Sequence, residues 1–283
     1  SRGDQDPKVL VRTLVNMGIN ILFVIGGDGT LRGGRSLAEE IKKQNLTISV
    51  VGIPKTIDND IMCIASSFGF ETAGGEAQKV IDSAHVEATG TRNGVGLVKL
   101  MGRDSGWIAA YATLANSTVN FCLIPEVPFT LNGFLKALEE RLKRKSHAVI
   151  VVAEGAGQEL LKSERQKDAS GNFVHGDIGL FLRDQIKAHF KAQKKELNLK
   201  YIDPSYLVRS VPANARDAAF CVLLGHNAVH AAMTGRTNMV VGNWNGEGTH
   251  VPITMAVTTR KKIDPEGRLW AGVVATTGQP KSF

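Results

Sequence analysis

The sequence has few cysteines, few aromatic residues and no long apolar run. Its three cysteines, Cys63, Cys122 and Cys221, are widely spaced over 283 residues. That pattern argues against a disulfide framework or a zinc site and predicts small buried apolar side chains in a reducing compartment. No stretch approaches the roughly eighteen uncharged apolar residues that a membrane helix needs, and the polar start shows no signal peptide. We therefore expect a soluble, cytoplasmic protein with no membrane partner.

The basic charge balance predicts anionic ligands. The net charge is +7, and basic residues cluster at 141–145 and 187–195. Both segments have the pattern of amphipathic helices, whose charged side is expected to face water. Aromatic residues make up only 6% and are not interleaved with the basic ones, which disfavours nucleic acid as a partner. Small phosphorylated substrates suit the same charge.

Apolar runs alternate with helical patterns along the chain. This alternation predicts an α/β fold with mostly parallel sheets flanked by helices. The expected strands are 20–25, 48–52, 95–100, 120–124, 147–152 and 238–241. The expected helices are 7–17, 34–43, 73–88, 105–115, 131–144, 178–194 and 215–233, with a loop at 163–175.

Four motifs follow four of the predicted strands directly. In an open parallel sheet the ligand binds beyond the carboxyl ends of the strands, so these motifs are expected to act together. They are Gly26-Gly27-Asp28-Gly29-Thr30, Pro54-Lys55-Thr56-Ile57-Asp58-Asn59-Asp60, Met101-Gly102-Arg103 and Glu154-Gly155.

The first motif is a glycine turn that opens a helix. Glycines let the backbone approach a phosphate closely, and the helix N-terminus favours negative charge. Asp28 among them is suited to hold Mg²⁺. On these residues alone, a plain strand-to-helix turn with an Asp or Thr N-cap is about equally well supported.

The second motif places two carboxylates and a lysine in a segment of seven residues that follows a buried strand. A general base must accept the proton of a hydroxyl while a cation offsets phosphate charge. A solvated turn with Asx caps is the alternative. The position directly after a buried strand favours the catalytic interpretation over the solvated turn.

The four motifs, followed by Tyr206-Leu207-Val208-Arg209, resemble the phosphofructokinase family in order and spacing over nearly the whole chain. The likeness is greatest to the long-chain ATP-dependent members of plants and trypanosomatids, which have stretches similar to those at 168–172 and 200–206. The resemblance implies Mg²⁺-dependent transfer of a phosphoryl group from ATP to fructose 6-phosphate, in glycolysis.

The resemblance also implies a role for each matching residue. Asp58 would be the base that takes the proton of the sugar 1-hydroxyl, assisted by Asp60 and Arg103, and Asp28 would bind the metal. The phosphoryl donor would contact Arg2, Gly27, Asp28, Gly29, Thr30 and Lys55. The sugar phosphate would contact Thr56, Ile57, Met101, Gly102, Arg103, Glu154, Lys200, Tyr206 and Arg209.

Two positions bear on the phosphoryl donor. In the family a glycine after the metal-binding aspartate accompanies ATP, whereas an aspartate there would repel the nucleotide and accompanies pyrophosphate. This chain has Gly29. Lys55, however, resembles pyrophosphate-using members. The combination favours ATP and leaves a pyrophosphate-dependent enzyme as the alternative.

The chain departs from the family pattern in two places. Asn93 or Gly94, and Lys200, stand where bacterial relatives have arginines for the sugar phosphate. Lys200 keeps a charge but lacks the bidentate fork of arginine. The chain also starts after the region of the family's first strand and glycine-rich loop. A fragment with an exposed sheet edge, or a catalytically inactive regulatory subunit, is therefore a further alternative.

The resemblance implies two α/β domains with the active site between them. Residues 1–69 and 208–258 would form the phosphoryl-donor domain, and 70–207 and 259–283 the sugar-phosphate domain. Relatives are usually tetramers that share the sugar site between subunits, so a homo-oligomer is expected.

Overall fold

The structure, a computed structural model, describes residues 5–161 and 175–283. Helices and strands alternate along most of the chain. The helices are α1 Pro7–Asn16, α2 Asp28–Lys43, α3 Phe70–Thr89, α4 Trp107–Leu114, α5 Leu131–Lys145, α6 Ile178–Ala192, α7 Ala215–Met233, α8 Ile253–Ala256 and α9 Arg268–Thr277. The strands are β1 Ile21–Gly26, β2 Ser49–Pro54, β3 Gly94–Leu100, β4 Phe121–Leu123, β5 His147–Ala153, β6 Asn198–Ile202, β7 Met239–Trp244 and β8 Glu247–Pro252.

The described residues form two compact units, and each has its own sheet. The first unit contains residues 5–71 and 213–261. Its sheet has the order β1-β2-β7-β8, in which β1, β2 and β7 are parallel and β8 returns antiparallel to β7. The strand β1 forms one edge of this sheet, where Phe23 and Ile25 are exposed.

The core of the first unit lies on both faces of β2, whose six residues are all buried. Side chains alternate between the two faces of a strand. Val50 therefore packs with Val11 and Ile41 of α1 and α2, whereas Val51 packs with Leu224 of α7. Helices thus cover both faces, which explains the continuous apolar run of β2.

The second unit contains residues 72–161, 175–212 and 262–283. Its sheet is entirely parallel, in the order β4-β5-β3-β6. Phe134 and Leu138 of α5, together with Leu182 and Ile186 of α6, are buried in one core with apolar residues of β3 and β5. The carboxyl ends of β3, β5 and β6 therefore meet at one edge of this sheet.

The structure confirms the predicted α/β fold with mostly parallel sheets. Each of the six expected strands is present to within three residues at each end, but β6, β8, α8 and α9 were not predicted. The expected helix 34–43 begins earlier, at Asp28, so most of the glycine turn is helical. Of the expected loop 163–175, only His175 lies within the described residues.

The cysteine prediction is correct for one residue of three. Cys122 is buried, and its burial raises the pKa of the thiol to about 12. Cys63 and Cys221 are only half-buried. Across residues 5–161 and 175–283, no helix combines the length and apolarity that a membrane span requires.

Candidate active site

The glycine turn joins β1 to α2 at the carboxyl end of the first unit's sheet. Gly27 is the N-cap of α2, and Asp28, Gly29 and Thr30 form its first turn. The Thr30 side chain lies directly against Gly26, where a Cβ atom would collide with it. The first amides of a helix have no intrahelical partner and favour an anion. The first turn of α2, which contains the exposed Gly29, is therefore suited to bind an anion.

Gly29 has open space around it. Apart from its chain neighbours and the backbone of its own helix, no heavy atom of residues 5–161 and 175–283 lies within 4 Å of a Cβ atom built at this position. The glycine is therefore not required by packing in the folded chain. Its neighbour Gly27 is closer to the rest of the site, because a Cβ atom there would lie 3.6 Å from both the Lys55 carbonyl oxygen and Thr56 Cβ.

The carboxylate-bearing segment connects β2 to α3, and we call residues 55–69 the acidic loop. It starts beside the glycine turn, because the Lys55 amide donates to the Gly26 carbonyl at 2.9 Å. Within it, the Asp58 amide donates to Thr56 Oγ1 at 3.1 Å, and Ser67 Oγ donates to the Thr56 carbonyl at 2.7 Å. These bonds close the loop around Thr56.

Asn59, a buried residue of the same loop, stabilises it through a side-chain hydrogen bond. It is buried, has a positive φ of 51°, and accepts from the Ser67 amide at 3.1 Å through its side chain. Asn tolerates the left-handed region better than most residues because its short side chain bonds locally. Asn59 thus sets the backbone turn between Asp58 and Asp60.

Asp28 and Asp60 share one arginine. Arg260 lies 4.0 Å from Asp28 Oδ2 and 3.5 Å from Asp60 Oδ2. Asp28 also pairs with Arg32 at 3.0 Å, one turn along α2. Asp60 is buried, whereas Asp58 is half-buried on the same loop. The structure therefore brings Asp28 and Asp60 together at Arg260, with Asp58 on the same loop as Asp60.

This carboxylate pair fits Mg²⁺. Magnesium keeps several of its waters and binds proteins through one or two carboxylates plus substrate phosphates. In the described part of the chain, no group of three or more His, Cys, Asp or Glu residues is arranged to hold a metal. These residues therefore offer no site for a metal that takes all its ligands from protein side chains. Asp28 and Asp60 instead suit a magnesium ion that keeps several of its waters.

Lys261 contacts the acidic loop, and the sequence motifs did not predict this contact. Its ammonium donates to Asn59 Oδ1 at 3.0 Å and to the carbonyls of Ile64 and Ala65 at 3.1 and 2.9 Å. Burial lowers the pKa of Lys261 to about 8, opposed by the charge of Asp60. At neutral pH the side chain is therefore still mainly the charged donor that these oxygens accept.

In the second unit, the ends of β3 and β5 hold Arg103 beside Glu154. The Glu154 amide donates to the Leu100 carbonyl at 2.9 Å, and the Gly155 amide to the Gly102 carbonyl at 3.1 Å. Gly102 has φ of 135°, which an L side chain rarely adopts. A Cβ atom at Gly155 would strike the Arg103 carbonyl. Two glycines thus let these loops pack together.

The second unit also contains an ion-pair cluster at the same strand ends. Lys99 contacts Asp177 at 2.9 Å and Asp203 at 2.8 Å, which ties β3 to the N-cap of α6 and to the end of β6. Burial opposes the charge of Lys99, but hydrogen bonds to Asp203 and Asp177 outweigh it and raise the Lys99 pKa. The segment after Asp203 carries Tyr206 and Arg209.

Tyr206 and Arg209 lie in the short 3₁₀ helix Ser205–Arg209, and both are exposed. The Arg209 guanidinium stacks over the Tyr206 ring at 4.9 Å from its centroid. Lys200 is not part of this group. It lies midway along the edge strand β6 and pairs with Gly96, about 7 Å before the end of β6 and about 13 Å before the end of β3 at 3.3 Å per residue. Arg2 lies outside the described residues.

We expect Lys99→Met to destabilise the second unit by about 1 to 3 kcal/mol at pH 7, because it leaves partly buried carboxylates without their ammonium donor. Burial raises the pKa of Asp177, but hydrogen bonds from the Leu180 amide and Lys99 outweigh it and hold that pKa below its ordinary value of 3.8. A lowered carboxyl pKa stabilises the fold above that value and the stabilisation is lost below it.

The difference in unfolding free energy between wild type and Lys99→Met should therefore shrink as pH falls below about 4. Urea denaturation at pH 7 and pH 3 measures it. The exposed Lys136→Met is the matched control and should differ little from wild type at either pH. A difference that stays the same at both pH values would contradict the ion-pair account.

The two units together define an α/β protein with its polar motifs at the carboxyl ends of parallel strands. The chain belongs to the phosphofructokinase family: the family model described as phosphofructokinase matches residues 2–232. This confirms the resemblance seen in the motifs.

Named relatives extend the comparison to the whole chain. It is 52% identical to "ATP-dependent 6-phosphofructokinase" of Borreliella burgdorferi, over 100% of this chain and 66% of the relative. It is 50% identical to "ATP-dependent 6-phosphofructokinase 7" of Arabidopsis thaliana, over 99% of this chain and 59% of the relative. The chain thus spans about three fifths to two thirds of these relatives.

A solved structure shares the fold. The pyrophosphate-dependent phosphofructokinase of Marinobacter aquaeolei has a TM-score of 0.78 and 18% identity, with 96% of this chain and 70% of that chain covered. At this identity the likeness concerns the fold alone.

Proposed function

We propose that the protein to which this chain belongs is an ATP-dependent 6-phosphofructokinase, which transfers the γ-phosphoryl group of ATP to the 1-hydroxyl of fructose 6-phosphate. The observation that carries the proposal is the acidic loop beside the glycine turn, where Asp28 and Asp60 share Arg260. The names and identities of the relatives support the same activity.

In this proposal the chain works mainly by positioning and by offsetting charge, as phosphoryl transfer requires. Asp58 accepts the proton of the attacking hydroxyl. The α2 N-terminus, Lys55 and Arg103 offset the negative charge of the transferring group. Asp28 and Asp60 would hold Mg²⁺, which supplies further positive charge to the phosphoryl oxygens when bound.

The two units divide the ligands in this proposal. The first would hold the phosphoryl donor through Gly27, Gly29 and Thr30, which lie at the start of α2. The second would hold the sugar phosphate through Met101, Arg103 and Glu154, with Tyr206 and Arg209. A homo-oligomer would give the mid-strand Lys200 a role at a subunit interface, because Lys200 lies away from the strand ends of its own unit.

ATP is the proposed donor because the space at Gly29 is open. A larger side chain or a carboxylate at that point would crowd or repel a nucleotide. Lys55 is the observation that favours the second candidate, a pyrophosphate-dependent enzyme, since its exposed ammonium could supply charge to a small donor.

A coupled assay for fructose 1,6-bisphosphate tests the proposal, with either ATP or pyrophosphate and with Mg²⁺. It should be run on the whole protein to which this chain belongs. Turnover with ATP is expected there. Turnover with pyrophosphate alone would support the second candidate. Sugar-phosphate binding without turnover from either donor would instead indicate an inactive regulatory subunit.

A further inference from the structure

The dipeptide Arg260-Lys261 follows α8 and lies outside all four motifs that follow strand ends. Its backbone runs along the acidic loop. Arg260 forms an antiparallel bridge with Ile61, and the Lys261 amide donates to the Asp60 carbonyl at 2.8 Å. We call these two residues the basic clamp. They contact the loop some 200 residues away in sequence, as the Lys261–Asn59 hydrogen bond spans 202 positions.

The side chain of Lys261 donates hydrogen bonds to three acceptors of the acidic loop. An ammonium has three N–H donors, and its three acceptors here come from different parts of the loop: Asn59 Oδ1 before the turn at Cys63, and the Ile64 and Ala65 carbonyls after it. Cys63 and Asn59 both have positive φ values, of 60° and 51°. Two backbone turns of this kind are costly unless surrounding contacts stabilise them.

The side chain of Arg260 acts on the carboxylates instead. Its guanidinium contacts Asp60 at 3.5 Å and Asp28 at 4.0 Å. Carboxylates brought together repel one another, and a shared cation reduces that repulsion. Lys261 and Arg260 therefore fix the loop backbone and the acidic side chains, respectively.

We infer that the basic clamp is a positioning element of the active site: Lys261 holds the backbone that carries Asp58, and Arg260 holds Asp28 and Asp60 in register. Neither residue needs to touch the substrate for this role. The inference deepens and rests on the proposed function, because it assigns the geometry of Asp58 to residues far along the chain. A displacement of a reacting group by about 1 Å can cost roughly 10²-fold in rate.

The test compares Lys261→Met with Lys262→Met in the whole protein. Both changes remove one positive charge, but Lys262 is exposed. Lys261→Met should lower kcat by about 10- to 100-fold while the KM for fructose 6-phosphate changes by less than about threefold, since most residues proposed to hold the sugar phosphate, all but Thr56 and Ile57, lie outside the acidic loop. Lys262→Met should match wild type. A residue that only stabilises the fold would lower the melting temperature without changing kcat per folded molecule.

Hydrogen exchange provides a readout that does not depend on activity. Amides of residues 58–67 should exchange at least about tenfold faster in Lys261→Met than in Lys262→Met, because the bonds that hold the loop are lost. Unchanged exchange, or an unchanged kcat, would overturn the inference. If the wild-type protein produces no fructose 1,6-bisphosphate, the proposed function fails, and the exchange comparison still decides the positioning role.

Arg260→Met is the second variant, needed if Lys261→Met does not fold. It leaves the Lys261 hydrogen bonds intact and should lower kcat over the same range, with little change in the exchange of the loop amides. Wild-type kcat in Arg260→Met would overturn the assignment of Arg260.

Discussion

Asp58→Ser should lower kcat by about 10² to 10⁴-fold, the range expected for loss of a general base. The KM for fructose 6-phosphate should change little, because the residues proposed to hold the sugar phosphate are mostly elsewhere. The loop should keep its shape, since the Asp58 backbone amide, which donates to Thr56 Oγ1 at 3.1 Å, remains in the serine variant. Steady-state kinetics with ATP and Mg²⁺ measure the effect.

The matched control is Asp184→Ser, which removes an exposed carboxylate from α6. Its kcat should equal that of wild type. A near-normal kcat in Asp58→Ser would mean that another group takes the proton, and the assignment of the base would then be wrong.

Gly29→Asp should lower kcat/KM for ATP by about 10²-fold or more, because a carboxylate placed beside the nucleotide phosphates costs several kcal/mol. Folding should not be the cause. Beyond its own helix, the described part of the chain has no heavy atom within 4 Å of a new Cβ at this position, and an acidic residue in the first turn of a helix is favourable. The melting temperature should therefore be unchanged or slightly higher, although kcat/KM for ATP falls.

Gly33→Asp is the control on the same helix. It adds the same charge one turn later, again at a glycine with open space. Its ATP kinetics should remain close to wild type. Equal ATP kinetics in Gly29→Asp and wild type would contradict the argument for ATP as the donor. Activity gained with pyrophosphate in Gly29→Asp would strengthen that argument.

The sheets could be predicted because their central strands are buried on both faces and appear as short apolar runs. The strand β8 was missed although its signal is present. Asn245-Gly246 joins β7 to β8 with both residues at positive φ, 51° and 87°, and Asn-Gly is a strong hairpin turn signal. The strand β6 was missed because its residues, Asn198–Ile202, are mainly half-buried and include an exposed lysine.

The helix α2 began earlier than expected for a related reason. Glycines at 29, 33 and 34 weaken a helical pattern, so the sequence suggested a start at Gly34. In the structure the helix starts at Asp28. A Cβ atom added at Gly34 would lie within about 3.4 Å of Val24 side-chain atoms. Close packing of helix on strand explains a glycine that propensity alone disfavours.

The proximity of Asp28 and Asp60 could be predicted, but the residues that contact them could not. Asp28, Asp58 and Asp60 follow strand ends, and parallel strands bring such ends together. Arg260 and Lys261 follow no strand of the parallel sheet, and the pairing of Lys99 with Asp177 and Asp203 depends on the strand order β5-β3-β6. Local patterns carry no information on contacts of that sequence separation.

The most direct test of the account is ³¹P NMR of the reaction of the whole protein with ATP, fructose 6-phosphate and Mg²⁺. We expect the γ-phosphate signal of ATP to be replaced by the signals of ADP and of a new phosphate ester at the sugar C1, and Asp58→Ser to slow this change at least about 100-fold. Free inorganic phosphate in place of the sugar ester, or no loss of rate in Asp58→Ser, would contradict it.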